Sequence, residues 1–271
     1  MKQIIVATDF SAEAGNALTY IVDCIKGRDD YGIILFTLQN PSIHSINARL
    51  SPDAISATLS GANEKLRLLA HDITTRHGIE VIPYFSTGLF YDQIKTCIQA
   101  HSALLLVMGM AKRSFEQDML GNTTTTAINR LKIPILSIPI DIKFTGLKHI
   151  LLAYDMERGI PRKILESIHF FATEFGAEVE IFNVWKQIEN LDRIAKKDTS
   201  IEETMKGTTY YYKNAESHKV VEAIRSEVLE SGTDVLIMVH YRYGFWQSLV
   251  HRSKTRMMAS GSNIPLLSIS L

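Results

Sequence analysis

Apolar residues recur along this chain in two alternating patterns. Ile4 to Ala7 is a short apolar run with β-branched residues, and after Thr8-Asp9-Phe10-Ser11 the apolar positions Ala14, Ala17, Leu18, Ile21, Val22 and Ile25 fall three or four apart. The first pattern predicts a buried strand; the second predicts an amphipathic helix capped by Ser11 and stopped near Gly27. The alternation continues with a strand over Ile33 to Leu38, a helix over Ala54 to His77 and a strand over Ile79 to Phe85. A helix over Tyr91 to Ala100, a strand over Ala103 to Met108, a helix over Asn122 to Leu131 and a strand over Ile133 to Ile138 complete the set. Strands without a polar face, alternating with helices, imply an α/β fold whose parallel sheet is covered on both sides.

After a linker, Ile140 to Gly146, the pattern begins again. Ile150-Leu151-Leu152-Ala153-Tyr154-Asp155 repeats Ile4-Ile5-Val6-Ala7-Thr8-Asp9 at an offset of 146 residues, and a helix follows with Pro161 near its start and Gly176 at its end. Ile264-Pro265-Leu266-Leu267-Ser268-Ile269 repeats Ile133-Pro134-Ile135-Leu136-Ser137-Ile138 at an offset of 131. At that offset Ala103 to Pro139 aligns without a gap with Asp234 to Ser270, which leaves the second copy shorter between its second and fourth strands. The chain is a tandem duplication, with domains expected over residues 1–140 and 147–271. An Ile-Pro precedes the last strand of each copy, which suits a strand start or a sheet edge. Pairing of those edges predicts an intramolecular pseudo-dimer around a pseudo-two-fold axis.

Composition narrows the function. Apolar residues make up 46% and charged residues 21% of the 271, and 29 Lys and Arg balance 29 Asp and Glu. No net positive field is available for nucleic acid, so nucleic-acid binding is not expected. No apolar run reaches membrane-spanning length, and the N-terminal run is too short for a signal peptide, so a cytoplasmic location is expected. The two cysteines, Cys24 and Cys97, fall inside separate helical patterns and read as buried free thiols. The histidines are scattered, and no metal site is expected.

The residues with candidate chemistry cluster in the first copy. Thr8-Asp9 follows the first strand, Leu104 to Met108 ends in Gly109, and Gly121-Asn122-Thr123 opens a helix. Glycines let a backbone approach an anion, and a helix N-terminus offers unpaired N–H groups to it. These residues, with Ile133-Pro134-Ile135-Leu136, resemble in order and spacing the universal stress protein family, in a tandem two-domain form. The resemblance covers nearly the whole chain. It implies two doubly wound, Rossmann-like domains, each a five-stranded parallel sheet in the order 3-2-1-4-5 with helices on both faces.

It also implies a nucleotide, ATP or AMP, at the carboxyl ends of strands 1 and 4. In the family the phosphates lie in a loop G-x-x-G-x9-G-(S/T). Gly109 then matches its first glycine, Gly121 its last, Asn122 the Ser/Thr and Asp9 the acidic residue near the ribose and adenine. Leu38 matches the position whose backbone contacts adenine, and Thr8 and Thr123 flank these groups. The middle glycine is replaced by Lys112, and the loop is one residue shorter than the family's.

The second copy departs further. Under the gapless alignment His240 stands at the place of Gly109, Tyr243 at that of Lys112, and Arg252-Ser253 at that of Gly121-Asn122, so its loop reads as degenerate although Asp155 remains. His240 to Trp246 is aromatic and basic, suited either to stacking on a base or partner or to packing a loop against the sheet. Tyr210-Tyr211-Tyr212 reads as strand, and Arg193 to Lys206 as a solvated helix or loop. No nucleophile elbow and no Walker-type loop occurs, so binding rather than catalysis is expected. Three classes remain open: a stress-response sensor or scaffold binding adenine nucleotide, an interaction module with an unidentified protein partner and no nucleotide, and a weak nucleotide hydrolase of related fold. A further homodimer is compatible with each.

Overall fold

A computed structural model describes residues 1–40, 51–110, 122–154, 160–185, 199–240 and 264–270. They fall into two compact units, one within residues 1–144 and one within residues 145–271. In the first unit the elements run β1 (Lys2–Ala7), α1 (Ala12–Ile25), β2 (Tyr31–Gln39), α2 (Pro52–His77) and β3 (Glu80–Thr87). Then come α3 (Phe90–His101), β4 (Leu105–Met110), α4 (Asn122–Arg130) and β5 (Ile135–Pro139). All neighbouring strands are parallel, in the order β3-β2-β1-β4-β5.

Local chemistry sets the helix ends. Ser11 caps α1, its Oγ accepting from the Ala14 N–H at 3.3 Å. Ser51 caps α2 in the same way with Pro52 in the first turn, and Gly78 ends that helix in the left-handed conformation. Consecutive β1 residues Ile4, Ile5 and Val6 are all buried, as a strand covered on both faces requires. One face carries Ile5, Ile34, Phe36, Leu106 and Ile135, packed with Ile94 and Cys97 of α3 and Ala127 and Ile128 of α4. Burial of each Ile, Leu and Phe side chain among them contributes about 1.5–3 kcal/mol.

The second unit repeats the design with β6 (His149–Ala153), α5 (Arg162–Phe175), β7 (Glu178–Trp185), α6 (Thr199–Thr204) and β8 (Tyr210–Glu216). It continues with α7 (Val220–Glu230), β9 (Val235–His240) and β10 (Leu266–Ser270). Its strands are again parallel, in the order β8-β7-β6-β9-β10. Both units therefore have the 3-2-1-4-5 order. Ile201 and Met205 are fully buried, so residues 199–206, the described part of the charged run, are anchored by apolar side chains rather than wholly solvated.

The strand registers correct the alignment of the two copies. Ile4 pairs with Leu105 in β4, and its counterpart Ile150 pairs with Val235 in β9. Leu106 pairs with Ile135, whereas Leu236 pairs with Leu266. The fourth strands are thus equivalent one residue away from the gapless alignment, and the second copy carries one extra residue before its last strand. Val239, not His240, occupies the place of Gly109. An apolar run buried on both faces gives no alternation that could fix this register from sequence.

Candidate functional site

The strand order reverses between β1 and β4, and the crevice beyond their carboxyl ends is where open parallel sheets hold ligands. Here the chain leaves β1 through Thr8 to Ser11. The Thr8 N–H extends the ladder to the Phe36 carbonyl at 2.8 Å, and the Thr37 hydroxyl donates to the Thr8 carbonyl at 2.7 Å. The buried Thr8 hydroxyl oxygen accepts from the Phe10 N–H at 3.0 Å. Exposed Asp9 accepts from the Ser11 N–H through Oδ1 at 3.0 Å, closing an Asx turn that leads directly into the Ser11 cap.

Phe10 pays for this tight loop with a φ of 64°, a left-handed conformation rare for an aromatic residue. Lys65 of α2 places its ammonium 4.4 Å from the centre of the Phe10 ring. This brings a positive charge to the β1–α1 loop that sequence spacing did not disclose, because α2 lies some fifty residues away in the chain.

Gly109 differs from its expected setting. The strand runs to Met110, two residues past the Met108 end expected from the sequence, and Gly109 pairs in register with Ile138 of β5. A Cβ on Gly109 would lie 2.4 Å from the Glu13 carbonyl carbon and oxygen and 2.8 Å from the Ala14 nitrogen. The residue is glycine because the first turn of α1 rests on the strand at this point. That packing brings the α1 N-terminus, the Thr8–Asp9 loop and the end of β4 together.

Leu38 lies near the end of β2, pairs with Ser86 and packs its partly buried side chain on the α3 and α4 face of the core. Asn122 is the first residue of α4, and Thr123 beside it is exposed. Lys112 and Gly121 lie outside the described residues, as do Asp155, Tyr243, Arg252 and Ser253.

The equivalent corner of the second unit is built otherwise. Val239 is buried, with 3% exposure, at the place of Gly109, and α5 begins at Pro161 without a side-chain cap. The cleft of about 580 Å³ in that unit is lined by Lys148, His149, Glu178 and Thr208 among others, and so lies at the amino ends of β6 and β7, not at the carboxyl ends. Among the described residues no cluster of His, Cys, Asp or Glu is arranged to hold a metal, and no helix is long and apolar enough to cross a membrane.

Comparison with known proteins agrees with this architecture. The sequence model of the Universal stress protein family matches residues 1–139. A universal stress protein from Archaeoglobus fulgidus superposes with a TM-score of 0.74 at 18% identity, covering 99% of this chain and 98% of that one. A putative universal stress protein from Pseudomonas aeruginosa superposes at 0.59 with 12% identity, covering 100% of this chain and 93% of that one. At these identities the superpositions speak for the fold. No curated protein sequence matches the chain at a significant level.

Proposed function

This chain belongs to the universal stress protein family, and from that premise we propose that its first unit binds an adenine nucleotide, ATP or AMP, through which the protein acts as a stress-response sensor or scaffold. The observation that carries the reading is the meeting of the Thr8–Asp9 loop, the α1 N-terminus and the end of β4 at the reversal of strand order. In this reading Asp9 and Thr8 face the ribose and adenine, and the Leu38 main chain borders the base. Gly109, Lys112, Gly121, Asn122 and Thr123 form the phosphate side, with the start of α4 supplying N–H groups and the positive end of its dipole. Lys65, held over Phe10, adds a cation at the loop. Val239 and the uncapped start of α5 favour the first unit over the second as the site.

Calorimetric titration of the full chain with ATP and with AMP tests this. Saturable heat with either supports it, and no heat with either up to millimolar concentration rejects it. Mass spectrometry of the supernatant after denaturing freshly purified protein gives an independent answer, since a co-purified adenine nucleotide would identify the ligand directly.

A further inference from the structure

The second unit carries a polar cluster where the first has apolar core. Leu151, the counterpart of Ile5, pairs with Glu180, whereas Ile5 pairs with Ile34. On the next strand Tyr211 and Lys213 take the register places of Ile82 and Tyr84. The Ala103 N–H bonds the Ile98 carbonyl and the Thr233 N–H the Val228 carbonyl, so Glu227 of α7 takes the place of Cys97 of α3. In the first unit Ile34 and Cys97 belong to one apolar cluster, with Ile82 and Tyr84 packed against it. Four neighbouring positions have therefore changed character together.

The replacements make a connected group. Glu180 is 3% and Glu227 5% exposed. The Tyr211 hydroxyl donates to Glu180 Oε2 at 3.0 Å, and Lys213 Nζ reaches Glu227 Oε1 at 2.7 Å and Oε2 at 2.6 Å. Glu180 Oε1 is buried with no hydrogen-bond donor among the described residues, and the Glu227 carboxyl is close enough for its charge to act on Glu180. Two buried carboxylates facing each other with one lysine leave an uncompensated charge, and a carboxyl oxygen without a donor is satisfied if it carries the proton itself.

We propose that Glu180 and Glu227 hold one proton between them, and that this proton, with Lys213, forms a latch fastening α7 to β7 and β8, which loosens as the surroundings become alkaline. Among the described residues Tyr211 and Lys213 of β8 act on the pair, Glu178 of β7 acts on Tyr211 and Glu230 of α7 acts on Lys213, while β6 presents the apolar Leu151. Among these described groups Lys213 alone is cationic, and it is already paired with Glu227. The direction of titration agrees with the geometry. Burial, and then the negative charge of Glu227, hold the Glu180 carboxyl above the ordinary carboxylate range. An acid whose pKa is higher in the folded than in the unfolded chain stabilises the fold fully below its unfolded value, and that stability is lost as pH rises through the folded value. The latch is independent of the nucleotide reading, since every group in it belongs to the second unit.

The test compares the melting temperature of the full chain with that of Glu180→Gln across pH. The carboxamide copies the protonated acid, accepting from Tyr211 and donating to Glu227, but cannot ionise. The wild-type chain should lose stability relative to the variant as pH rises above the ordinary carboxylate range, the gap widening by about 2–4 °C per pH unit until the folded carboxyl ionises. A gap that stays constant from acid to alkaline pH overturns the latch. Infrared spectroscopy of the wild-type chain supplies a second reading that needs no variant to fold. A carboxylic-acid carbonyl band that persists well above the ordinary carboxylate pKa is expected, and ionised carboxylate bands alone under those conditions would overturn the shared proton.

Discussion

Gly109 touches Glu13 backbone to backbone: a Cβ on Gly109 would stand 2.4 Å from the Glu13 carbonyl oxygen. The contact joins the end of β4 to the first turn of α1 and so fixes the corner at which the proposed nucleotide site lies. Gly109→Ala should therefore lower stability by about 1–3 kcal/mol through overpacking, with or without nucleotide. Urea denaturation of the two proteins measures this, and an alanine variant as stable as the parent would show that the helix can retreat without loss.

Asp9 has one role in the loop and one proposed for the ligand, and two substitutions separate them. Asp9→Ala removes the acceptor of the Ser11 N–H and should lose about 0.5–1.5 kcal/mol of stability as well as affinity for ATP. Asp9→Asn keeps an oxygen acceptor for the turn. Its stability should match the wild type while its calorimetric affinity for adenine nucleotide falls; unchanged affinity in both variants would remove Asp9 from the site.

Asn16 on α1 donates through Nδ2 to the Pro139 carbonyl at 2.9 Å and to the Ile142 carbonyl at 3.0 Å, tying the chain after β5 to the helix. Asn16→Leu leaves both carbonyls without that donor. A loss of about 1–3 kcal/mol is expected in chemical denaturation.

Cys97 is buried and Cys24 half-buried rather than buried as expected, yet loss of solvent pushes both thiols up to about 12. The reactive form is the thiolate, so at mildly alkaline pH neither cysteine of the folded chain should react appreciably with a disulfide reagent such as Ellman's, whereas both should react after unfolding. Rapid reaction in the native protein would place a thiol in a more open setting than the structure gives it.

Much of the fold was legible because its elements are locally encoded. Ser11 and Gly176 mark helix ends by chemistry that acts within four residues, and the apolar runs mark strands that a sheet must cover on both faces. The proposed site was legible only in outline. Thr8 and Asp9 could be placed after β1, but the presence of Lys65 over Phe10 depends on how α2 packs, which no local pattern reports.

The sequence by itself determined the alternation of strands and helices, the duplication and the family. The tertiary structure alone decided the register of β4 and β9, which put Val239 at the place of Gly109. It also assigned Gly109 a neighbour in α1 and brought Glu180 and Glu227 together in a core. The physical reason is common to all three. Hydrophobic period and capping are properties of consecutive residues, whereas register, backbone approach and the company of a buried charge arise between segments that meet only when the sheet has formed.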